Sequence, residues 1–336
     1  MPDAAPDQLI PATILTGFLG SGKTTLLNRI LTEQHGEKIA VIENEFGETG
    51  IDNEILLRDG KEQIIEMNNG CICCTVRGDL VRILGDLGRK RRSGELRFDR
   101  VIIETTGLAD PGPVAQTFFM DEDINNQYVL DAILTVVDAK HAAQQLAEHK
   151  EAQEQVGFAD RILISKTDLV SDEDVDALSE RMRKMNPRAV QKRVHFGKTD
   201  IRDILDIRGF NLNSILDVAP DFLTEDQHQH DDKIKSFVWK DGRALDMEKI
   251  ETFLSMLVQT YGVDMLRYKG VLNIAGEPRR MIFQGVHMLM GGSPGKPWAP
   301  GDRRESTMVF IGRDLPRRLF EEGLAYCVAA ETEDGK

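Results

Sequence analysis

Nine residues constrain this chain more than any others: Gly17-Phe18-Leu19-Gly20-Ser21-Gly22-Lys23-Thr24-Thr25. They follow the apolar run from Ile10 to Leu15 and precede a stretch with Leu26, Leu27, Ile30 and Leu31 on one helical face. Strand, glycine turn and helix in that order predict a phosphate-binding P-loop. Gly17, Gly20 and Gly22 let backbone N–H groups turn inward around an anion, within a loop that also carries Ser21 and Thr25. Lys23 supplies charge to the terminal phosphates, Thr24 offers a hydroxyl to Mg²⁺, and the helix aims its positive N-terminus at the same anion.

Bulk properties narrow the partners. At 336 residues the chain is long enough for two domains with cores of their own. With 56 acidic against 42 basic residues the net charge is −14, so no broad basic surface is available for a nucleic-acid backbone. No apolar run approaches the length of a membrane span. Met1 to Gln8 lacks the basic start of a signal peptide, and three of the four cysteines are crowded together rather than spaced as a disulfide framework. A cytoplasmic protein, with neither nucleic acid nor membrane as partner, is the expectation.

Beyond the P-loop helix, the run from Lys38 to Glu43 reads as a strand buried on both faces, and it leads into Glu43-Asn44-Glu45-Phe46-Gly47-Glu48. Carboxylates at the carboxyl end of a parallel strand lie where an open α/β sheet binds its ligand, although a solvated acidic loop has the same composition. Asn69-Gly70-Cys71-Ile72-Cys73-Cys74 follows. Three thiols within four residues can converge on a soft cation such as Zn²⁺ or Cu⁺; Cys71 and Cys74 also have redox spacing, and buried inert cysteines are the third reading.

A helix from Leu80 to Arg91 and a buried-type strand from Phe98 to Glu104 come next. Glu104 occupies the strand-end place of the acidic residue near Mg²⁺ in P-loop enzymes, and Gly107 can offer its N–H to the terminal phosphate. Lys23, Thr24 and Glu104 are thus the candidate catalytic residues. Leu108 to Pro113 forms a turn able to move with nucleotide state. Asp131 to Asp138 is a strand, Ala139 to Val156 a helix, and Asp160 to Ile164 a strand that delivers Ser165-Lys166-Thr167-Asp168. That tetrapeptide resembles a guanine-reading Asn-Lys-x-Asp with Ser in the Asn place. The Asp168 carboxylate can accept from guanine N1–H and the exocyclic amine, and Lys166 can lay its stem along the base. Ser171 and Asp174 form a capping box for a helix to about Met185, and Ala189 to His195 closes the series with a histidine at a strand end.

Asp217 to Lys233 breaks the pattern and reads as a linker; His228 and His230 with the carboxylates around them are explained equally by a solvated tether and by transient metal binding. Past it, a strand over Ile234–Trp239, a helix over Met247–Gln259, a hairpin of Leu266–Ala275 and Arg279–Met290, a strand over Thr307–Gly312 and a helix over Pro316–Val328 with Asp314 near its cap make a small α+β unit. The expected fold class is therefore α/β: a P-loop NTPase domain with a largely parallel sheet flanked by helices, followed by a smaller α+β C-terminal domain.

Taken jointly, the P-loop, Val41 to Glu48, the C-x-C-C run, Glu104-Thr105-Thr106-Gly107-Leu108-Ala109-Asp110-Pro111, Leu266 to Leu272 and Ser306 to Gly312 resemble the CobW-like GTPases over nearly the whole chain. The resemblance implies a metal-binding GTPase, some relatives being zinc metallochaperones and others serving cobalamin synthesis or nitrile hydratase maturation. Carried over by position, Cys71, Cys73 and Cys74 are the thiolate cluster, with Glu43 and Glu48 as oxygen ligands and Thr24 on Mg²⁺. It implies a GTPase domain over residues 1–218, a linker over 219–233 and a CobW-type C-terminal domain over 234–336. GTP or GDP, Mg²⁺, Zn²⁺ or another transition metal, and a client metalloprotein are the implied ligands and partners, and a homo-oligomer is compatible with the sequence. Ser165 is the departure from the pattern; Asp168 is intact, which keeps guanine preference. Rival readings are a small-molecule kinase and a nucleotide-binding thiol redox sensor.

Overall fold

The structure, a computed structural model, describes residues 9–33, 36–43, 53–57, 63–67, 76–197, 199–200, 204–207, 209 and 233–330. Two compact units divide the chain, the second beginning at Asn211 and also taking in Arg181–Arg188, so that the helix over Asp172–Met185, most of which belongs to the first unit, ends in the second. The boundary expected at residue 218 and the 219–233 tether lie almost wholly outside the described residues.

The first unit runs β1 (Ile10–Thr16), α1 (Lys23–Thr32), β2 (Ile39–Glu43), β3 (Asn53–Leu57), β4 (Gln63–Met67), α2 (Val76–Arg92), β5 (Arg100–Glu104), α3 (Gly112–Met120), α4 (Glu122–Asn125), β6 (Tyr128–Asp138), α5 (Ala142–Glu148), α6 (Lys150–Phe158), β7 (Arg161–Ser165), α7 (Asp172–Met185) and β8 (Val190–Arg193). Its eight strands lie in the order β4-β3-β2-β5-β1-β6-β7-β8. The six from β2 to β8 pair in parallel, and β3 and β4 add an antiparallel edge. Central parallel strands must be apolar on both faces. Accordingly β1 buries all but Pro11, and β6 all but Val129. On one face Leu26, Leu27 and Ile30 of α1 pack against Leu15, Val41, Ile102 and Leu134.

β1 sits at the middle of the sheet, with β5 on one side and β6 on the other. The chain first moves outward from β1 to β2 and later crosses to β6, so the winding reverses at β1 and opens a crevice at its carboxyl end. The opposite end of the sheet is held by Arg100, only 2% exposed, which pairs with Glu37 (2.5 Å), Asp206 (2.6 Å) and Asp131 (3.4 Å).

The second unit comprises β9 (Ile234–Asp241), α8 (Met247–Tyr261), β10 (Met265–Leu272), β11 (Arg279–Val286), β12 (Leu289–Pro297), β13 (Ser306–Arg313) and α9 (Arg317–Tyr326). Its sheet is antiparallel, in the order β12-β11-β10-β13-β9. One core joins Ile250, Leu254 and Leu257 of α8 and Phe320 and Leu324 of α9 to Phe237, Tyr268 and Phe310. Cys327 is buried there too. No helix among the described residues is long and apolar enough to cross a membrane.

Three local expectations differ. The single helix over Ala139–Val156 is two, because His149 adopts an extended conformation (φ −120°, ψ 120°) and sets its ring 4.7 Å from that of Phe18. The strand expected to run to Met290 ends at Val286; His287 turns at φ +51° and β12 returns along the edge. Its Gly-Gly-Ser-Pro-Gly-Lys-Pro sequence reads as loop, but an edge strand tolerates proline because one row of N–H groups has no ladder to complete. Asp314 does not cap the last helix, whose cap position is Pro316 without a side-chain bond.

Candidate nucleotide site

The loop after β1 is shaped by its glycines. Gly17, Gly20 and Gly22 all have positive φ, at +142°, +73° and +101°. At Gly17 the constraint is also one of space, since a Cβ would stand 2.2 Å from the Val136 carbonyl oxygen of the neighbouring strand. Gly22 caps α1 with no side-chain hydrogen bond, so no side chain competes for the helix's first N–H groups. Lys23 is buried and folds back over the loop, donating to the carbonyls of Gly17 (2.8 Å) and Phe18 (3.3 Å). Burial holds its ammonium pKa below the ordinary lysine value, and the nearby Glu104 carboxylate partly opposes that shift.

From β5 the Glu104 carboxylate reaches α1: Thr24 donates its hydroxyl to Glu104 Oε1 at 3.2 Å. A hydroxyl and a carboxylate side by side next to the phosphate loop are oxygen donors of the kind that suit Mg²⁺. β2 and β5 are in register with Glu43 opposite Glu104, so the backbone brings Glu43 to the same edge. Past β5, Gly107 crosses close to the P-loop; a Cβ there would fall 2.6 Å from the Leu19 nitrogen. This crossing is clamped from α6, where Gln155, 1% exposed, donates to the Gly107 and Ala109 carbonyls, each at 3.1 Å. Nothing in the sequence marked Gln155, which stands among the polar neighbours Glu151, Gln153 and Glu154.

The base-reading candidates emerge from β7. Lys166 has φ +56°, and its ammonium is 2.7 Å from Asp138 Oδ2 at the end of β6. The same oxygen lies 2.9 Å from His141 Nδ1, while the Lys140 amide donates to Asp138 Oδ1 at 2.9 Å. Burial alone would raise the Asp138 pKa, but Lys166 and His141 outweigh it and hold the carboxyl below its ordinary value. With its head anchored, Lys166 keeps its aliphatic stem as the part available to a base. Asp168 stands 3.4 Å from His195 Nδ1, so the strand-end histidine expected from sequence faces the candidate base reader. Ser165 donates its hydroxyl to the Ser21 carbonyl of the P-loop (2.6 Å), with the Val137 carbonyl at 3.2 Å. The serine in the Asn place thus ties the two loops together. Asp138 was reachable by the rule that singled out Glu104, being acidic at the end of a central parallel strand, but its partner was not.

The described residues therefore bring together Gly17 to Thr25, Glu104, Gly107, Lys166 and Asp168 at one end of the sheet. Cys71, Cys73, Cys74, Glu48, His228 and His230 lie outside the described residues, and Glu43 is described by its backbone alone. No group of three or more potential metal-ligating residues occurs among the described side chains.

Residues 11–192 match the CobW/HypB/UreG nucleotide-binding domain, and residues 234–328 match the cobalamin synthesis protein CobW C-terminal domain. The chain is 44% identical over 318 residues to the zinc chaperone YjiA of Escherichia coli (strain K12), covering 94% of this chain and 98% of that one. It is 33% identical over 349 residues to zinc-regulated GTPase metalloprotein activator 1 of Schizosaccharomyces pombe, covering 92% of this chain and 83% of that one. Among solved structures, Zn(II)-bound YjiA GTPase from E. coli matches with a TM-score of 0.80 at 37% identity, over 96% of this chain and all of that one. A central phosphate loop, a neighbouring strand-end loop bearing Lys166 and Asp168, and a CobW-type second unit agree with these likenesses, and the chain belongs to the CobW/HypB/UreG family.

Proposed function

We propose that the chain is a GTPase that hydrolyses GTP to GDP and phosphate and couples its nucleotide state to the binding and delivery of a transition metal, zinc in the first place. The observation that carries this reading is the convergence, at one end of a single sheet, of the P-loop, the Thr24–Glu104 pair and the loop bearing Lys166 and Asp168. Relatives named for zinc delivery and for GTPase activity support it.

In this mechanism the P-loop amides and the start of α1 bind the phosphates, and Lys23 exchanges the Gly17 and Phe18 carbonyls for phosphate oxygens. Thr24 and Glu104 would hold Mg²⁺, which supplies charge neutralisation on the phosphates when bound. The Gly107 amide faces the terminal phosphate, within the segment that Gln155 positions. Asp168 accepts from the guanine edge, which adenine cannot match. Cys71, Cys73 and Cys74, with Glu43 and Glu48, take the metal as cargo, soft thiolates selecting zinc over Mg²⁺. A client metalloprotein receives it.

The two parts of the proposal are tested together by titrating the full chain with zinc against a competing chromophore, in GDP and in a slowly hydrolysed GTP analogue, beside Cys73→Ser. The expected result is a zinc affinity differing by about tenfold or more between the nucleotide states, equivalent to about 1.4 kcal/mol, and lost in the variant. Equal affinity in both states sinks the coupling. Transfer of the terminal phosphate to a metabolite instead of water would favour a kinase.

A further inference from the structure

Phe196 follows β8 in a conformation that L-residues avoid, φ +47°, and its side chain is 70% exposed. A bulky residue at positive φ persists only where its surroundings fix it, and such positions cluster at ligand sites. Here both chain neighbours are fixed, and both by parts of the nucleotide site. β8 leaves the sheet beside β7, with the Val194 amide donating to the Ile164 carbonyl at 2.8 Å. His195 then meets Asp168 Oδ1 at 3.4 Å. On the other side Gly197, at φ +69°, lies against the first turn of α1; a Cβ on it would be 3.3 Å from Leu26 Cα and 3.5 Å from the Thr25 carbonyl oxygen. Between the base reader and the P-loop helix stands an aromatic ring that the core does not use, touching the His195 ring edge-on at 4.6 Å.

We propose that Phe196 packs its ring against the purine base of the bound nucleotide, completing a base pocket whose hydrogen-bonding edge is Asp168. The inference rests on the GTPase reading above and adds a binding residue to it. Ring-on-base contact exploits the π-face that every base has, so it contributes affinity without choosing among purines. Selection of guanine remains with Asp168. The exposure of the ring and the strain of its backbone then have one cause, a ligand surface that the nucleotide covers.

The test measures binding of GDP, IDP and inorganic tripolyphosphate to the full chain with Mg²⁺ by calorimetry, for wild type, Phe196→Gly and Phe196→Tyr. Glycine removes the ring while relieving the positive φ, so weakened binding cannot come from added backbone strain. The expected result is a loss of roughly tenfold for both GDP and IDP in Phe196→Gly, unchanged tripolyphosphate binding, and recovery in Phe196→Tyr. GDP binding equal to wild type overturns the proposal, and so does an equal loss for tripolyphosphate, which would place the effect in the P-loop. A wild-type chain that binds tripolyphosphate but neither nucleotide overturns the guanine reading itself, and is told apart by that control.

Discussion

Asp138 shows how much a single carboxylate can organise. It is almost fully buried, yet it holds an ammonium and an imidazole on one oxygen and a backbone amide on the other. Because its folded pKa is depressed, its contribution to stability is complete above the ordinary carboxylate value of about 3.9, falls away as pH drops through the lower folded value, and is absent below it. Asp138→Asn should therefore cost about 1 kcal/mol at neutral pH, a modest figure because the Lys166 side chain is 36% exposed and partly screened. Melting curves of wild type and variant should converge in strong acid. A gap that persists unchanged at low pH would mean that packing, and not the charge, is lost. The acidic end of β6 was visible in the sequence; that its role is to fix Lys166 depends on β6 and β7 lying side by side, which no local pattern encodes.

Among the elements, the ones that position the site were the most legible, because a parallel sheet buried on both faces writes itself as apolar runs ending in chemistry-bearing residues. β1, β2, β5, β6 and β7 all read in that way. β3, β4 and the proline-containing β12 did not; β12 is an edge strand, which needs no full hydrogen-bond ladder. The break between α5 and α6 was hidden for another reason: it serves a ring contact between His149 and Phe18, distant in sequence. Its consequence is that α6 begins afresh and brings Gln155 under the Gly107 segment. Gln155→Met keeps the volume and removes both N–H donors, so it should destabilise the first unit by about 1–2 kcal/mol. Amide exchange over residues 107–110 should quicken more than exchange in β5. Uniform exchange across both would remove Gln155 from its positioning role.

For the whole molecule, each of the two units has a core of its own. The α1 face of the parallel sheet packs aliphatic side chains; the second unit gathers aromatic rings, with Phe310 5.0 Å from Phe320 and 5.2 Å from Phe237. Phe320 is fully buried at the centre of that cluster, so Phe320→Ala should cost about 3–5 kcal/mol, seen as faster exchange in β10 and β13. An exchange pattern like wild type would contradict the packing described. Sequence spacing gave α8, α9 and the β10–β11 hairpin of this unit, but not the edge strand that completes its sheet. The sheet order of the first unit has a consequence in time. Thr13 on β1 meets Asp131 on β6 across 118 positions of chain, so at ordinary synthesis rates the strand that carries the P-loop waits roughly 6–24 s for its second flanking neighbour, β5 being made first. The loop is among the first segments to be made, but its strand gains a neighbour on each side only as β5 and then β6 emerge, so an apolar strand stays unpaired on those two sides for seconds during synthesis.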